Sequence, residues 1–215
     1  MALLAGDIDA VADVGGILPQ QADMIRKAEN LTLKQTEVAT THILLFNCGR
    51  PPFSNPDMRG WLSGALDRKG LVSAFAGGAG RVALDPYSPL CADYAFGLIQ
   101  PRPRPFPESG AGGTEAVVLL HGGTLERWPY ADIAQVIQQV LSSKGMPARI
   151  DIREAGGFNE AIQAGGFDLA IQPYTLMTGD PAFFFAYFVA SSAPRNPGYR
   201  NAAADALINS ARREM

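Results

Sequence analysis

The segment from Phe46 to Gly78 constrains the fold of this 215-residue chain more than any other stretch. It begins at the end of a run rich in Thr, Ile and Leu, from Thr41 to Asn47, which is typical of a β-strand. A turn follows at Pro51 and Pro52, because two consecutive prolines cannot continue a strand ladder. The chain therefore leaves an extended element here and enters a different kind of structure.

Two helices are predicted in the rest of this segment. Asn55-Pro56-Asp57 supplies an N-cap residue followed by proline at the first helical position, and the helix is predicted to end near Ala65. A second helix is predicted from Asp67 to Ala76, where Gly77-Gly78 ends it. The charged residues on these two helices, Arg59, Asp67 and Arg68, are expected to form a solvated face with one ion pair.

The second half of the chain alternates between strand-like and helix-like patterns. The predicted strands are Glu115 to His121, Ala148 to Glu154 and Phe167 to Tyr174; the predicted helices are Tyr130 to Lys144, Phe158 to Ala164, Pro181 to Ala190 and Arg200 to Arg213. Strands that alternate with helices indicate an α/β fold with crossover connections. The sequence therefore predicts a mostly parallel sheet flanked by helices.

Composition limits the classes of protein that the chain can belong to. Hydrophobic residues make up 47% of it and charged residues 18%, which is an ordinary balance for a globular domain. The formal net charge of −3 argues against a nucleic-acid-binding protein, which usually carries a basic face. No apolar run approaches the roughly 18–20 residues needed to cross a membrane. The first residues show no charged leader with an apolar core, so they do not resemble a signal peptide.

The cysteines and histidines give little sign of a metal site. Cys48, Cys91, His42 and His121 are scattered along the chain without the spacing of a zinc motif. A disulfide between the two cysteines and two separate thiols both remain open at this stage. His42 lies in the middle of a predicted strand and is expected to be structural.

The sequence contains no pair of residues that suggests catalysis. The glycine-rich stretch from Ala76 to Arg81 follows a helix and lacks a phosphate-loop pattern, so it indicates a helix end and a loop. His121 ends a predicted strand, where α/β proteins often bind ligands, but no nucleophile elbow accompanies it. A small α/β enzyme with its site near His121 and Tyr174 is kept as the alternative function.

Several ordered motifs together resemble one known family. The segment from Phe46 to Gly78 is similar to a long pattern in family 5, the peptide- and nickel-type extracytoplasmic solute-binding proteins of ABC transporters. The similarity continues through four shorter motifs: G-D-I-D at Gly6 to Asp9, G-x-F-D-L at Gly165 to Leu169, G-D-P at Gly179 to Pro181, and the end from Asn196 to Arg212. The resemblance implies one lobe of a type II periplasmic-binding-protein fold.

The same resemblance implies what the chain does. Residues 1–215 are expected to form a single ligand-binding lobe, the second lobe of a longer bilobal protein whose complete form is periplasmic or extracytoplasmic. Such a lobe captures a small-molecule or peptide ligand, of peptide, nickel or opine type, for an ABC permease. It works with the first lobe of the same protein and needs neither catalysis nor a cofactor. Nucleic acid is not an expected partner, and the chain is not expected to span a membrane.

The ligand site is expected where two parallel strands end. Loops that leave parallel strands at their carboxyl ends meet at one edge of the sheet, where α/β folds bind ligands. The residues predicted to contact the ligand are Gln172, Tyr174, Thr175, Met177, Gly122 and Thr124. Peptide binders of the family place an aspartate for the ligand's α-ammonium group where Met177 stands. The resemblance therefore implies a ligand that does not depend on a free α-ammonium group.

Overall fold

The computed structural model describes residues 2–12, 16–17, 19–75, 80–86, 88–91, 104–107, 115–176 and 180–213. Four strands form one mixed sheet: β1 (Thr40–Phe46), β2 (Ala116–His121), β3 (Ala148–Arg153) and β4 (Leu169–Thr175). Their order across the sheet is β1-β4-β2-β3. The pairs β2–β3 and β2–β4 are parallel and β1–β4 is antiparallel, which confirms the predicted mostly parallel sheet.

The helices agree with the predicted alternation, with shifted ends. They are α1 (Ala2–Ala5), α2 (Pro19–Arg26), α3 (Pro56–Ala65), α4 (Arg68–Phe75), α5 (Tyr130–Ser142), α6 (Ala155–Ala164), α7 (Ala182–Phe184) and α8 (Ala202–Ala211). A π-helical turn at Phe185–Val189 continues α7, so the predicted helix from Pro181 to Ala190 changes its hydrogen-bond pattern midway. The predicted glycine stop at Gly77-Gly78 lies outside the described residues.

One face of the sheet packs against α5 and α3. Alternate residues of each strand point toward this layer because successive side chains in a strand face opposite sides. The strand residues buried here include Val118, Leu120, Leu169 and Ile171, and the helices contribute Met58, Trp61, Leu62, Ala134, Ile137 and Leu141. This layer forms the largest apolar cluster of the described chain.

The opposite face is covered by two neighbouring units. Helix α6 packs its buried side chains, Phe158, Ala161 and Ile162, against Leu119 and Ala170 of the sheet. Beside it, the aromatic segment, defined here as residues 183–188, packs against the β1–β4 side of the sheet.

The start of α3 confirms one local prediction, and the charged residues nearby correct another. The Asn55 side chain accepts a hydrogen bond from the Asp57 amide at 2.9 Å, and Pro56 opens the helix. The expected ion pair is wrong for the described residues. Arg59 donates to the carbonyls of Phe53 and Ser54, which precede α3. Arg68 donates to the Ser63 carbonyl in the last turn of α3, where a helix leaves carbonyls without amide donors.

Asp67 has a different role from the predicted ion pair. Its carboxylate accepts a hydrogen bond from the Gly70 amide at 3.0 Å, in the first turn of α4. A carboxylate at this position satisfies an amide that has no partner within the helix and lies favourably in the helix dipole. Local backbone groups therefore hold all three charged side chains.

A network of hydrogen bonds joins three strands at the amino end of β2 and β4. Asp168 is 3% exposed and accepts hydrogen bonds from Arg50 Nε at 2.8 Å, from Arg50 Nη2 at 2.9 Å and from the Val117 amide at 2.8 Å. The buried Asn47 donates to the carbonyls of Gly165 and Phe167 at 3.0 and 2.8 Å. This edge of the sheet is thereby fixed by polar contacts.

The structure does not join the two cysteines in a disulfide. The half-buried Cys48 thiol lies 3.6 Å from the Phe46 carbonyl, and burial raises the pKa of Cys48 although the positive charge of Arg59 opposes this. Cys91 is buried beside the aromatic segment. Of the two alternatives left open by the sequence, the structure has separate thiols.

None of the helices in the described part of the chain is long and apolar enough to cross a membrane.

Candidate functional site

The carboxyl ends of β2 and β4 lie at the same edge of the sheet, together with the start of β1. The parallel register aligns Leu120 with Ile171, and β4 continues beyond it to Thr175. Strand β1 runs the other way, so Thr40 pairs with Thr175. We call this end of the sheet the carboxyl edge; it is opposite the edge held by Asp168.

Gly122 and Thr124 lie in a 3₁₀ turn (Gly122–Thr124) that follows β2 directly. The Thr124 hydroxyl donates to the His121 carbonyl at 2.7 Å, and the Trp128 amide donates to the Thr124 carbonyl at 2.9 Å. A Cβ atom on Gly122 would lie 3.0 Å from a Glu154 carboxylate oxygen. The turn is therefore packed closely against the residue that follows β3.

Gln172 and Thr175 lie on β4 at the same edge. Gln172 is half-buried, and its Nε2 atom is buried without a hydrogen-bond partner among the described residues. Thr175 is exposed, and its hydroxyl lies 2.9 Å from the hydroxyl of Thr40 on β1. Register and contacts thus bring four of the predicted residues, Gln172, Thr175, Gly122 and Thr124, to the carboxyl edge.

Tyr174 is placed differently from these four residues. Its ring is 7% exposed and packs edge-on against Phe184 at 5.0 Å and Phe188 at 5.5 Å. Its hydroxyl is buried without a hydrogen-bond partner in the described part of the chain. Burial, and secondarily the charge of Asp180, raises the pKa of Tyr174. The Tyr174 ring therefore packs into the aromatic segment at the end of β4. Met177, the sixth predicted residue, lies outside the described residues.

His121 faces the side of the sheet that carries α6. Its ring meets Phe158 edge-on at 5.4 Å, and its Nδ1 atom is buried with no hydrogen-bond partner among the residues described. Buried polar atoms are normally satisfied, so an unsatisfied one calls for a physical explanation. Three such atoms, from His121, Gln172 and Tyr174, lie near the carboxyl ends of adjacent strands. Unmet hydrogen-bonding capacity is therefore concentrated at this edge.

The structure adds an aromatic group that the sequence analysis treated as structural. His42 Nδ1 lies 2.7 Å from the Tyr130 hydroxyl, and its ring meets Trp128 edge-on at 4.5 Å. His42 is exposed, whereas Tyr130 is 1% exposed at the start of α5. Burial lowers the pKa of His42 and raises that of Tyr130. The sequence held a signal for this contact: His42 lies on the same face of β1 as Leu44 and Phe46, which pack against the core.

The carboxyl edge offers hydrogen-bonding groups and aromatic rings. Within the described ranges, no three side chains of His, Cys, Asp or Glu are grouped so that they could hold a metal ion. A hollow of about 300 Å³ lies at the opposite edge, lined by Asn47, Gly165 and Gly198 among others. A second hollow of about 200 Å³ lies between the aromatic segment and α8. The described groups at the carboxyl edge can donate and accept hydrogen bonds.

Comparisons with known proteins give a consistent result. Residues 1–196 match the family model for the middle part of bacterial extracellular solute-binding proteins, family 5. The chain is 26% identical over 179 residues to probable di/tripeptide-binding protein 5 of Pseudomonas aeruginosa (strain UCBPP-PA14). It is 24% identical over 180 residues to di/tripeptide-binding protein 2 of the same strain. These matches cover 77% and 79% of the chain but only 32% and 33% of the relatives.

Solved structures show the same fold. The periplasmic binding protein DppA from Helicobacter pylori, in complex with the peptide STSA, matches with a TM-score of 0.80 at 20% identity, over 99% of this chain and 42% of that one. NikA from Brucella suis, in complex with Fe(III)-EDTA, matches with a TM-score of 0.72 at 14% identity, over 98% and 49%. These neighbours are type II periplasmic binding proteins, so the predicted fold class is confirmed. The homologues are non-catalytic binding proteins, which favours the main prediction over an enzyme.

Proposed function

Because the chain belongs to family 5 of the bacterial extracellular solute-binding proteins, we propose that residues 1–215 form one ligand-capturing lobe of a longer binding protein. The chain spans about a third of the length of the curated relatives that it matches. A bilobal protein closes its two lobes around a ligand by a hinge motion, and closure buries most of the ligand surface. One lobe alone supplies part of those contacts and no enclosure.

The observation that carries this proposal is the carboxyl edge, where β2 and β4 end side by side and Thr175 is exposed. Gln172 is half-buried beside the turn that holds Gly122 and Thr124. Buried polar atoms at this edge have hydrogen-bonding capacity that the described residues do not use.

The ligand that we propose is a short peptide or a small molecule of similar size, such as a metal chelate. Two matched relatives are named as di/tripeptide-binding proteins, and the NikA structure holds Fe(III)-EDTA. We place Gln172, Thr175, Gly122 and Thr124 on the ligand-facing surface; Met177, the remaining predicted contact, comes two residues after Thr175 in the sequence. Tyr174 is assigned a supporting role because its ring is buried.

The partners follow from the proposed role. The first lobe of the same protein would face the carboxyl edge and close the cleft. An ABC permease would receive the loaded protein on an outer surface, and the complete protein would be extracytoplasmic. Within this scheme the lobe makes and breaks no bond, so it needs neither a cofactor nor a catalytic group.

Calorimetry on the complete protein that carries this chain tests the site. Thr175→Trp places a bulky side chain on the exposed end of β4 and should weaken binding of a tripeptide by at least about tenfold, which corresponds to about 1.4 kcal/mol. Gln163→Trp, at an exposed position at the carboxyl end of α6 beside the opposite hollow, is the matched control and should leave affinity unchanged. Equal affinities for both variants, at unchanged melting temperature, would contradict the assignment of the cleft to the carboxyl edge.

A further inference from the structure

The hydrogen bond between His42 and Tyr130 fixes where the imidazole carries its proton. The Tyr130 hydroxyl is buried, and the Nδ1–oxygen distance is 2.7 Å. A phenol is the stronger donor of the two groups, and an unprotonated imidazole nitrogen is the stronger acceptor. In the tautomer that we infer, the Tyr130 hydroxyl donates to Nδ1, and a neutral His42 carries its own proton on Nε2.

The surroundings of His42 favour this neutral form. The ring meets Trp128 edge-on at 4.5 Å and Tyr130 at 5.7 Å. Packing against these rings removes water from one side of the imidazole, which disfavours the charged form and lowers the pKa of His42. The side chain nevertheless remains exposed overall. Since Nδ1 is tied to the buried Tyr130 oxygen, Nε2 is the ring nitrogen left for a further contact.

The position of His42 connects it to the proposed ligand site. On β1, His42 pairs with Pro173 of β4. Two residues further along β4, Thr175 pairs with Thr40. Its ring partner Trp128 donates its amide to the Thr124 carbonyl at 2.9 Å. His42 is therefore linked through β1 to the end of β4, and through Trp128 to the turn after β2. No described residue hydrogen-bonds to Nε2, although Nδ1 is held in place.

We propose that His42 is a ligand-contact residue of this lobe, and that its Nε2–H group donates a hydrogen bond to an acceptor oxygen of the bound ligand. The acceptor is a carbonyl or a carboxylate oxygen, both of which a peptide presents. Tyr130 is a positioning residue because it fixes the ring orientation and the tautomer from behind. Trp128 supports the ring from the side. This inference deepens the proposed function and rests on it.

Affinity measurements on the complete protein separate a ligand contact from a structural brace. With trialanine as the probe, His42→Ala should weaken binding between about twofold and tenfold, the range that one neutral hydrogen bond supplies. His42→Gln should recover part of the loss because an amide nitrogen can donate from a similar place. Tyr130→Phe should weaken binding less than His42→Ala, and Tyr187→Phe is the matched control with no effect.

Two further measurements identify the contact itself. In long-range proton–nitrogen NMR spectra, the free protein should show His42 as the Nε2–H tautomer, and trialanine should move that proton resonance downfield. Tyr130→Phe should shift the tautomer balance before any ligand is added. Comparing trialanine with its C-terminal amide separates the two sources of the acceptor: a carboxylate contact makes His42→Ala costly only for the free acid, and a carbonyl contact makes it costly for both.

The outcomes distinguish the two proposals. If the wild-type protein binds no trialanine, the proposed function fails for peptides, and this inference fails with it. If the wild-type protein binds trialanine, while His42→Ala binds equally well and the NMR resonance does not move, the inference alone is overturned. A loss of affinity in His42→Ala that His42→Gln does not relieve, without a resonance shift, would assign His42 to a structural role.

Discussion

Arg50 holds Asp168 through two parallel hydrogen bonds, Nε to Oδ1 at 2.8 Å and Nη2 to Oδ2 at 2.9 Å. The two residues lie 118 positions apart in the sequence, one after β1 and one before β4. The aspartate side chain is 5% exposed, whereas that of Arg50 is 41% exposed. Breaking this pair should therefore cost more free energy at the buried carboxylate than at the guanidinium, which water can still reach.

Asp168→Asn should destabilise the fold by about 2–3 kcal/mol, because the amide cannot accept from Arg50 and the Val117 amide as the carboxylate does. Arg50→Lys keeps the charge but loses the paired geometry, and should cost about 1 kcal/mol. Urea unfolding followed by circular dichroism measures both. Arg26→Ala breaks an exposed ion pair with Asp23 and should change stability by less than about 0.5 kcal/mol. An equal loss in all three variants would contradict this ranking.

Gly198→Ala should destabilise the fold by about 2–4 kcal/mol. The alanine would be strained in the left-handed backbone conformation, and its Cβ would collide with the backbone of Gly49. Gly198 has φ of 87°, and a Cβ atom there would lie 2.5 Å from the backbone of Gly49. Gly156→Ala is the matched control: its Cβ would meet nothing within 4 Å, and it lies in α6, so it should be neutral or stabilise by up to about 1 kcal/mol. Thermal unfolding of the two variants checks the expected opposite signs.

Asn47→Ala should cost about 2–3 kcal/mol because the buried carbonyls of Gly165 and Phe167 lose their donor. The Asn47 side chain also accepts a hydrogen bond from the Gly49 amide at 3.0 Å. Asn47→Asp keeps this acceptor but loses both donated bonds, so it should restore little. Recovery of wild-type stability in the aspartate variant would show that the donated bonds contribute little.

The stability of the fold should depend on the protonation of His42. Its pKa is lowered in the folded state, so the unfolded chain binds the proton at a higher pH than the folded protein does. The stability contribution of the neutral ring is complete above the ordinary histidine pKa of about 6.5 and is lost as pH falls through the lower folded value. The stability advantage of wild type over His42→Gln should therefore shrink between about pH 7.5 and 5. A difference that stays constant over this range would contradict the expected shift.

N-acetylation of a bound peptide should change its affinity for the complete protein by less than about threefold, since no carboxylate contact would be lost. The resemblance to family 5 implies that Met177 stands where its peptide binders carry an aspartate, and no other acidic residue lies between Tyr174 and Asp180 in the sequence. Calorimetry with trialanine and N-acetyl-trialanine measures the change. Loss of binding upon acetylation would contradict the prediction and indicate an acidic group supplied from elsewhere.

Local sequence signals predicted much of the fold. The N-cap at Asn55 was readable because a cap and its helix are adjacent in sequence, and the structure confirms it. The helix predicted from Tyr130 to Lys144 is observed over Tyr130–Ser142, since its apolar residues recur with helical spacing. The strand predicted from Thr41 to Asn47 is observed over Thr40–Phe46, where it pairs with β4.

The polar contacts that define the candidate site were less accessible to sequence reasoning. His42 and Tyr130 are separated by 88 positions, and only the sheet register brings them together. The buried position of Tyr174 depends on how the aromatic segment folds back onto β4. Long-range side-chain geometry of this kind leaves no periodic signal in one sequence.

Strand β4 has paired neighbours on both sides, and this limits how the site can change in evolution. Inserting or deleting one residue within Leu169–Thr175 would turn every following side chain to the other face and break the register with both β1 and β2. Substitutions within the strand avoid this penalty, and so do length changes after Thr175. New ligand preferences in this lobe should therefore arise by replacing side chains on β4 or by remodelling the segment that follows it.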